Sequence, residues 1–158
     1  MNGVTIVDDS IDLRRGIDYV GVTVTAIIHD GKGNILMMKR GPEARDERGN
    51  WDICGGALEF GESIEAAIRR EVMEELCVDA LEIKFIHAGD AHRVNHDGDK
   101  THWVWLLHGV LVDPKRVKIG EPHKITEIAW FNLSNLPSPL HSQFHHALRG
   151  AKMSQLIT

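Results

Sequence analysis

The sequence predicts an α/β fold in which a mixed β-sheet is covered by helices, an α/β/α sandwich. Three observations predict it. Short β-branched apolar segments outnumber helical ones, only two segments carry a helical period, and strands separate those two. With 158 residues and 42% hydrophobic content, the chain buries one core and is too short for two ordinary domains.

Residues 1–17 are aperiodic, with Asp8, Asp9 and Asp12 close to Arg14 and Arg15, and are read as an N-terminal extension to a single domain of residues 18–158. Residues 19–28 are apolar and β-branched, residues 30–34 (Asp-Gly-Lys-Gly-Asn) supply turn chemistry, and residues 35–38 resume the apolar run, which makes a hairpin. Residues 41–50 are charged, contain Pro42 and show no period, so they form a surface loop. Ser63 is placed to cap a helix running to about Leu76, because its hydroxyl can accept from the free N–H groups of the first turn; Ile64, Ile68, Val72 and Leu76 follow at four-residue steps. Residues 81–88 and 102–112 read as strands joined through the polar turn at residues 95–99, and residues 128–131 as another short one. After Pro137 and Pro139, residues 141–149 form the second helix, with Gly150 as its stop.

The bulk properties exclude several classes. The net charge of −5 contains no block of like charges and no Lys/Arg run, so no polynucleotide partner is expected. Cys54 and Cys77 provide no disulfide framework, and the N-terminus lacks the pattern of a secretory signal, which points to a cytoplasmic protein. The longest apolar run, residues 20–28, is far below the roughly 20 residues of a membrane span.

Chemistry concentrates around the first helix. Gly55 and Gly56 form a turn, Glu59 and Glu62 flank Gly61, and Arg70, Glu71, Glu74 and Glu75 follow on the helix. At ~100° per residue, Glu71 and Glu75 fall within roughly 20° of Ile64, and Glu74 within about 80°. Carboxylates sharing an arc with apolar residues repel one another and lose hydration, at a cost of several kcal/mol unless a cation neutralises them. Hard oxygen donors suit Mg²⁺, with Mn²⁺ as an alternative, and Mg²⁺ completes its shell with water and phosphate oxygens. A Glu-rich helix is more often only a solvated face, and Glu65 on the same arc shows that the wheel does not decide between the two.

Spacing decides. Gly56, five residues, Glu62, seven residues, Arg70-Glu71-Val72, one residue, Glu74-Glu75, one residue and Cys77-Val78 resembles the box of the Nudix hydrolase family, with eight of nine specified positions matched. A match that good arises by chance on the order of once in 10⁵ chains of this length. The flanking hairpin, Trp51-Asp52-Ile53 and Ala129-Trp130-Phe131 extend the likeness over most of residues 19–139. The resemblance implies a Nudix-like sandwich with the box set against the sheet. It also implies a hydrolase that cleaves a phosphoanhydride bond, with a metal held by Glu71, Glu74, Glu75 and the Gly55 carbonyl. By the same likeness Arg70 orients the glutamates, Glu59 and Glu62 support the loop or, as in some family members, the metal, and a glutamate, with Glu71 and Glu74 the candidates, accepts a proton from the attacking water. The family further implies a small nucleotide substrate and a homodimer. Two positions depart from its pattern: Cys77 stands where a helix-ending glycine is usual, and Cys54 where a proline is common.

Outside the box, Glu59-Phe60-Gly61-Glu62 and Glu121-Pro122-His123-Lys124 are similar to nucleoside triphosphate pyrophosphatases of the MutT type, implying a triphosphate split to monophosphate and pyrophosphate. The alternatives are an ADP-ribose or nucleotide-sugar pyrophosphatase and a non-catalytic nucleotide-binding regulator; residues 90–96 hold neither the proline nor the tyrosine that marks some other branches. Arg40 is a candidate for the substrate phosphates, Trp51, Phe60, Trp103 and Trp105 for stacking on a base or for the core, and Glu121 and Glu127 for a remote base or extra ligand. His141 and His145, four apart, read as a surface pair without a metal role.

Overall fold

Asp30 turns the chain at the first hairpin. Its carboxylate accepts from the N–H groups of Lys32 (2.7 Å) and Asn34 (3.2 Å) and from the Asn34 amide (2.7 Å), returning β1 (Gly21–His29) into β2 (Asn34–Arg40). The computed structural model describes residues 12–150, so the first eleven residues of the extension and everything past Gly150 lie outside the described residues. Two short strands follow the hairpin that the sequence reading did not separate, β3 (Trp51–Asp52) and β4 (Cys54–Ala57). Helix α1 (Ile64–Leu76) comes next, then β5 (Glu82–Val94), β6 (Lys100–Leu111), β7 (Ile125–Asn132) and α2 (Ser142–Gly150). Strand β5 runs six residues past its expected end at Ala88, so residues 90–94 are strand. The last helix includes Gly150 and begins after His141.

The sheet is mixed. β1 runs parallel to β6 along its whole length, while β5 and β6 pair antiparallel and β7 pairs antiparallel with β2. Ile27 and Ile28 are both fully buried and point to opposite faces, which requires a strand covered on both sides. On one face Val24, Ala26, Ile28 and Leu36 pack against Ala67, Ile68, Val72 and Leu76 of α1. On the other, Ile27, Ile35, Met37 and Leu107 pack against Phe144 and Ala147 of α2. Each large side chain buried this way contributes about 1.5–3 kcal/mol. The result is the expected α/β/α sandwich, and no helix among the described residues is long and apolar enough to cross a membrane.

One edge of β1 changes partner. Ile28 and His29 pair with β2, whereas residues 23–26 pair with β4; β2 in turn pairs with β3 at Met38 and Lys39, while β7 runs along β2 from Asn34 to Arg40. Where the two partners diverge, the sheet opens.

Helix α1 is held at both ends. The Ser63 hydroxyl accepts from Ala66 N–H at 3.1 Å, and Cys77 takes a left-handed conformation (φ 53, ψ 34) while donating to the Met73 carbonyl at 3.0 Å. Left-handed backbone at a non-glycine residue costs roughly 1 kcal/mol. Lys118 and Gly120 N–H groups donate to the Leu76 and Glu75 carbonyls at 2.9 and 2.8 Å. A Cβ at Gly120 would collide with the Glu74 carbonyl, so only glycine allows the approach. That strap brings Glu121 beside the last turn of α1.

Candidate active site

The opening between β2 and β4 is a cavity of about 560 Å³. Gly55, Gly56, Glu71, Glu74, Glu75 and Glu121 line one bank of it; Arg40, Asp46, Asp52, Arg93 and His141 line the other.

On the first bank, backbone glycines let the helix carboxylates come close. A Cβ at Gly56 would overlap the Glu71 carboxylate, and one at Gly55 would overlap the Val24 carbonyl. Gly55 N–H donates to Glu75 Oε2 at 3.1 Å, so the β4 backbone and the helix glutamate are directly joined. Arg70 gathers the remaining acids: its guanidinium donates to Glu62 at 2.7 and 3.1 Å, Glu71 at 2.5 Å, Glu74 at 3.3 Å and the Ala57 carbonyl at 3.1 Å. The pairing with Glu62 is the main reason Arg70 holds its proton even more firmly than usual, and it keeps Glu62 below the ordinary carboxylate range. Arg15, at the end of the extension, pairs with Glu59 at 3.0 Å and so ties residues 12–17 to the box loop.

Glu71 and Glu75 behave in the opposite way. Burial raises the Glu71 pKa in spite of Arg70, with Glu74 and Glu121 adding repulsion. Glu75 keeps some exposure where it lines the cavity, but dense surroundings push its pKa up to about 8, against hydrogen bonds from Cys54 and Gly55. Burial also raises the Cys54 thiol, beside Glu75, well above its usual value, which leaves it a protonated hydrogen-bond donor and no nucleophile. Among the described residues, Glu62, Glu71, Glu74, Glu75 and Glu121 thus have two cations paired among them, Arg70 and Lys124, the latter bonded to Glu121 at 3.0 Å. The bank has more negative charge than the protein neutralises.

The other bank is compensated. Arg40 pairs with Asp46 at 2.7 Å and Asp52 at 3.0 Å, Arg93 pairs with Asp46 and Glu47 at 3.2 Å each, and His141 Nε2 lies 2.8 Å from Glu47. Glu47 also accepts from the Ser142 N–H and hydroxyl, both at 2.9 Å, capping α2. Led by the His141 hydrogen bond, these contacts hold the Asp46 carboxyl well below the carboxylate range.

Several expectations need correction. His141 is not a surface residue; at 6% exposure it sits inside the ion-pair network, while His145 is exposed. Its partners are nearly a hundred positions away, so no local pattern could reveal it. Trp51 is core: it packs edge-on against Phe131 at 5.1 Å and does not line the cavity. Phe60 is fully exposed at the box loop, also away from the cavity. Arg40 lines the cavity, but its guanidinium is engaged by Asp46 and Asp52. Trp103 and Trp105 share one face of β6 and both reach the cavity. Each rests on glycine: Trp103 on Gly16 and Gly21, Trp105 on Gly89, where any Cβ would overlap the ring. Arg45 lies 5.7 Å over the Trp103 ring. Glu127 pairs with Lys39 at 3.7 Å outside the cavity lining.

The chain matches known proteins over this same architecture. It is 30% identical over 121 residues to the nucleoside triphosphatase NudI of Enterobacter sp. strain 638, covering 72% of this chain and 84% of that protein. It is 31% identical over 124 residues to the oxidized purine nucleoside triphosphate hydrolase of Danio rerio, covering 73% and 68%. The crystal structure of a MutT NUDIX hydrolase from Burkholderia pseudomallei superposes with a TM-score of 0.74 at 28% identity, over 85% of this chain and 99% of that one. Gly55 and Gly56, read from the sequence as a turn, lie in strand β4 paired with β1; the family model for the NUDIX domain matches residues 20–150, which include that strand, the glutamate helix and the whole sheet, and the chain therefore belongs to the Nudix hydrolase family.

Proposed function

We propose that this hydrolase cleaves a nucleoside triphosphate to the monophosphate and pyrophosphate with Mg²⁺, Mn²⁺ being a competent substitute. The observation that carries the reading is the under-compensated carboxylate bank: Glu71, Glu74, Glu75 and Glu121 line one side of the cavity, and among the described residues the cations paired with them are Arg70 and Lys124, while Arg40 and Arg93 are committed to the acids of the opposite bank. These hard oxygen donors, together with the Gly55 carbonyl, fit a divalent cation of the Mg²⁺ kind, and burial, which raises the Glu71 and Glu75 pKa values, makes their charge costly without one. When bound, the ion supplies charge neutralisation for the phosphates and lowers the pKa of water.

The chain's own groups do the rest. Arg70 fixes the orientation of Glu71 and Glu74 through the contacts already described, and a carboxylate of this set accepts the proton of the attacking water. Lys124, which lines the cavity and is half-exposed while bonded to Glu121, is the cation suited to the outer phosphates. The base lies against Trp103 and Trp105, the aromatic surface that lines the cavity, in place of Trp51 and Phe60. The two relatives' names, both nucleoside triphosphate hydrolases, support the substrate class. Free Cys54 and Cys77 agree with a cytoplasmic enzyme.

The test is a panel of nucleoside triphosphates, ADP-ribose and nucleotide sugars incubated with Mg²⁺, with and without chelator, with products resolved. Chelator-sensitive release of monophosphate and pyrophosphate from triphosphates is expected. No turnover of any phosphoanhydride would leave only a nucleotide-binding role.

A further inference from the structure

Outside the carboxylate bank, two groups of metal-ligating side chains bring their donor atoms within 4.8 Å of one another: Asp46, Glu47 and His141, and Asp90, His92 and His102. They differ in what already surrounds them. In the first, Arg40 and Arg93 occupy the position a cation would take. In the second, among the described residues, Asp90 makes no ion pair with Lys or Arg; its partners are His92 Nε2 at 2.7 Å and His102 Nε2 at 3.8 Å.

We propose that Asp90, His92 and His102 form a surface site for a divalent transition metal, with Zn²⁺ the best chemical match. The sheet fixes the arrangement. His92 and His102 are direct cross-strand partners on β5 and β6, and Asp90 lies two residues earlier on the same face. The two imidazoles stack with centroids 4.1 Å apart and planes 27° from parallel, so both present Nε2 to one carboxylate. Tetrahedral coordination with bonds of about 2.0–2.1 Å places ligand atoms roughly 3.3 Å apart. The two observed separations straddle that value, so small side-chain rotations close the site while the ladder holds the backbone. Two imidazoles and one carboxylate favour zinc-like ions over Mg²⁺, which distinguishes this site from the carboxylate bank. Water fills the remaining coordination.

The position has a structural consequence. β5 is the edge strand of the sheet, and strand alternation puts Ala91, Arg93 and Trp103 on the opposite face, where they line the cavity. An ion on Asp90, His92 and His102 fastens the edge strand to β6 directly behind that wall.

The test titrates the full chain with Zn²⁺ by calorimetry in excess Mg²⁺, which loads the carboxylate bank. One Zn²⁺ per chain is expected, with affinity reduced at least about tenfold in His92→Ala and in His102→Ala, less in Asp90→Asn, and unchanged in Glu71→Gln. Hydrogen exchange adds an independent readout: Zn²⁺ slows the amides of residues 90–94 and 100–104 in the unmodified chain and not in His102→Ala. Because the imidazoles are surface groups, Mg²⁺-dependent turnover and thermal unfolding of the histidine variants report that the fold is kept. Zn²⁺ binding that survives both histidine substitutions, that disappears with Glu71→Gln, or that is absent over the Mg²⁺ background would overturn the proposal. None of these results bears on phosphoanhydride cleavage, which is measured separately.

Discussion

The cavity has two acidic banks built from the same residue types, and their electrostatics run in opposite directions. On the bank of Asp46, Glu47 and Asp52, two arginines and a buried histidine meet the carboxylates, and Asp46 and Glu47 ionise more readily than usual. On the helix bank, Arg70 serves Glu62, Glu71 and Glu74 together while Glu75 has only hydrogen bonds, and Glu71 and Glu75 resist ionisation. One cluster joins a loop, a strand and a helix. The other has fewer paired cations than carboxylates. Acidic composition alone therefore says little; the number and placement of cations among the acids separates a strut from a binding site.

The largest effect should come from neutralising the deficient bank. Glu71→Gln and Glu75→Gln are each expected to lower kcat on the order of 10²–10³-fold with the circular dichroism spectrum unchanged. Near-normal rates in either variant would place the cation elsewhere and erase the contrast.

The compensated bank should respond in stability. Glu47→Ala removes the His141 and Arg93 contacts and both Ser142 hydrogen bonds. After allowance for partial exposure this costs about 2 kcal/mol, a fall in Tm of roughly 4–8 °C by differential scanning calorimetry. Cation-dependent turnover should persist in the same variant.

Opposite pKa displacements also give opposite pH responses in metal-free protein. The folded-state pKa of Asp46 is depressed, so its stabilising contribution is complete above the unfolded value near 4 and is lost as pH falls below it. Glu75 is raised to about 8, so its ionisation destabilises the fold increasingly as pH climbs from about 4 through 8. Glu75→Gln should accordingly raise the Tm of the metal-free chain above pH 8, by about 2–4 °C for each kcal/mol relieved. A lower Tm there would mean that the carboxylate is already satisfied within the protein. The smallest effect belongs outside both banks: Cys77→Gly should stabilise by up to about 1 kcal/mol in denaturant titration and leave the cation dependence of turnover unchanged.

Local spacing carried much of this into the sequence. Ser63, the four-residue apolar steps and the glutamate pattern specified α1, and the Asp30 turn specified the hairpin, because each depends on residues within a few positions. β3 and β4 were harder to read: at two and four residues, one rich in glycine, they exist because neighbouring strands present an edge. The choice of tryptophan was also non-local. Trp51 is drawn into the core by Phe131, whereas Trp103 reaches the cavity by lying on Gly16 and Gly21. His141 was misread for the same reason, since Asp46 and Glu47 meet it only in the folded chain.

The exchange of partners along β1 has a further consequence for how such a protein diversifies. Because the cleft arises from a fork in the hydrogen-bond ladder, its existence does not depend on the side chains around its mouth. The side chains of β6 that face the cavity can therefore change without altering the fork that keeps the glycine backbone of β4 against α1, whereas Asp46 and Glu47 of the loop at residues 41–50 are tied into the fold by Arg40, Arg93 and His141. The opening is thus a property of the backbone ladder, set apart from the side chains that line it.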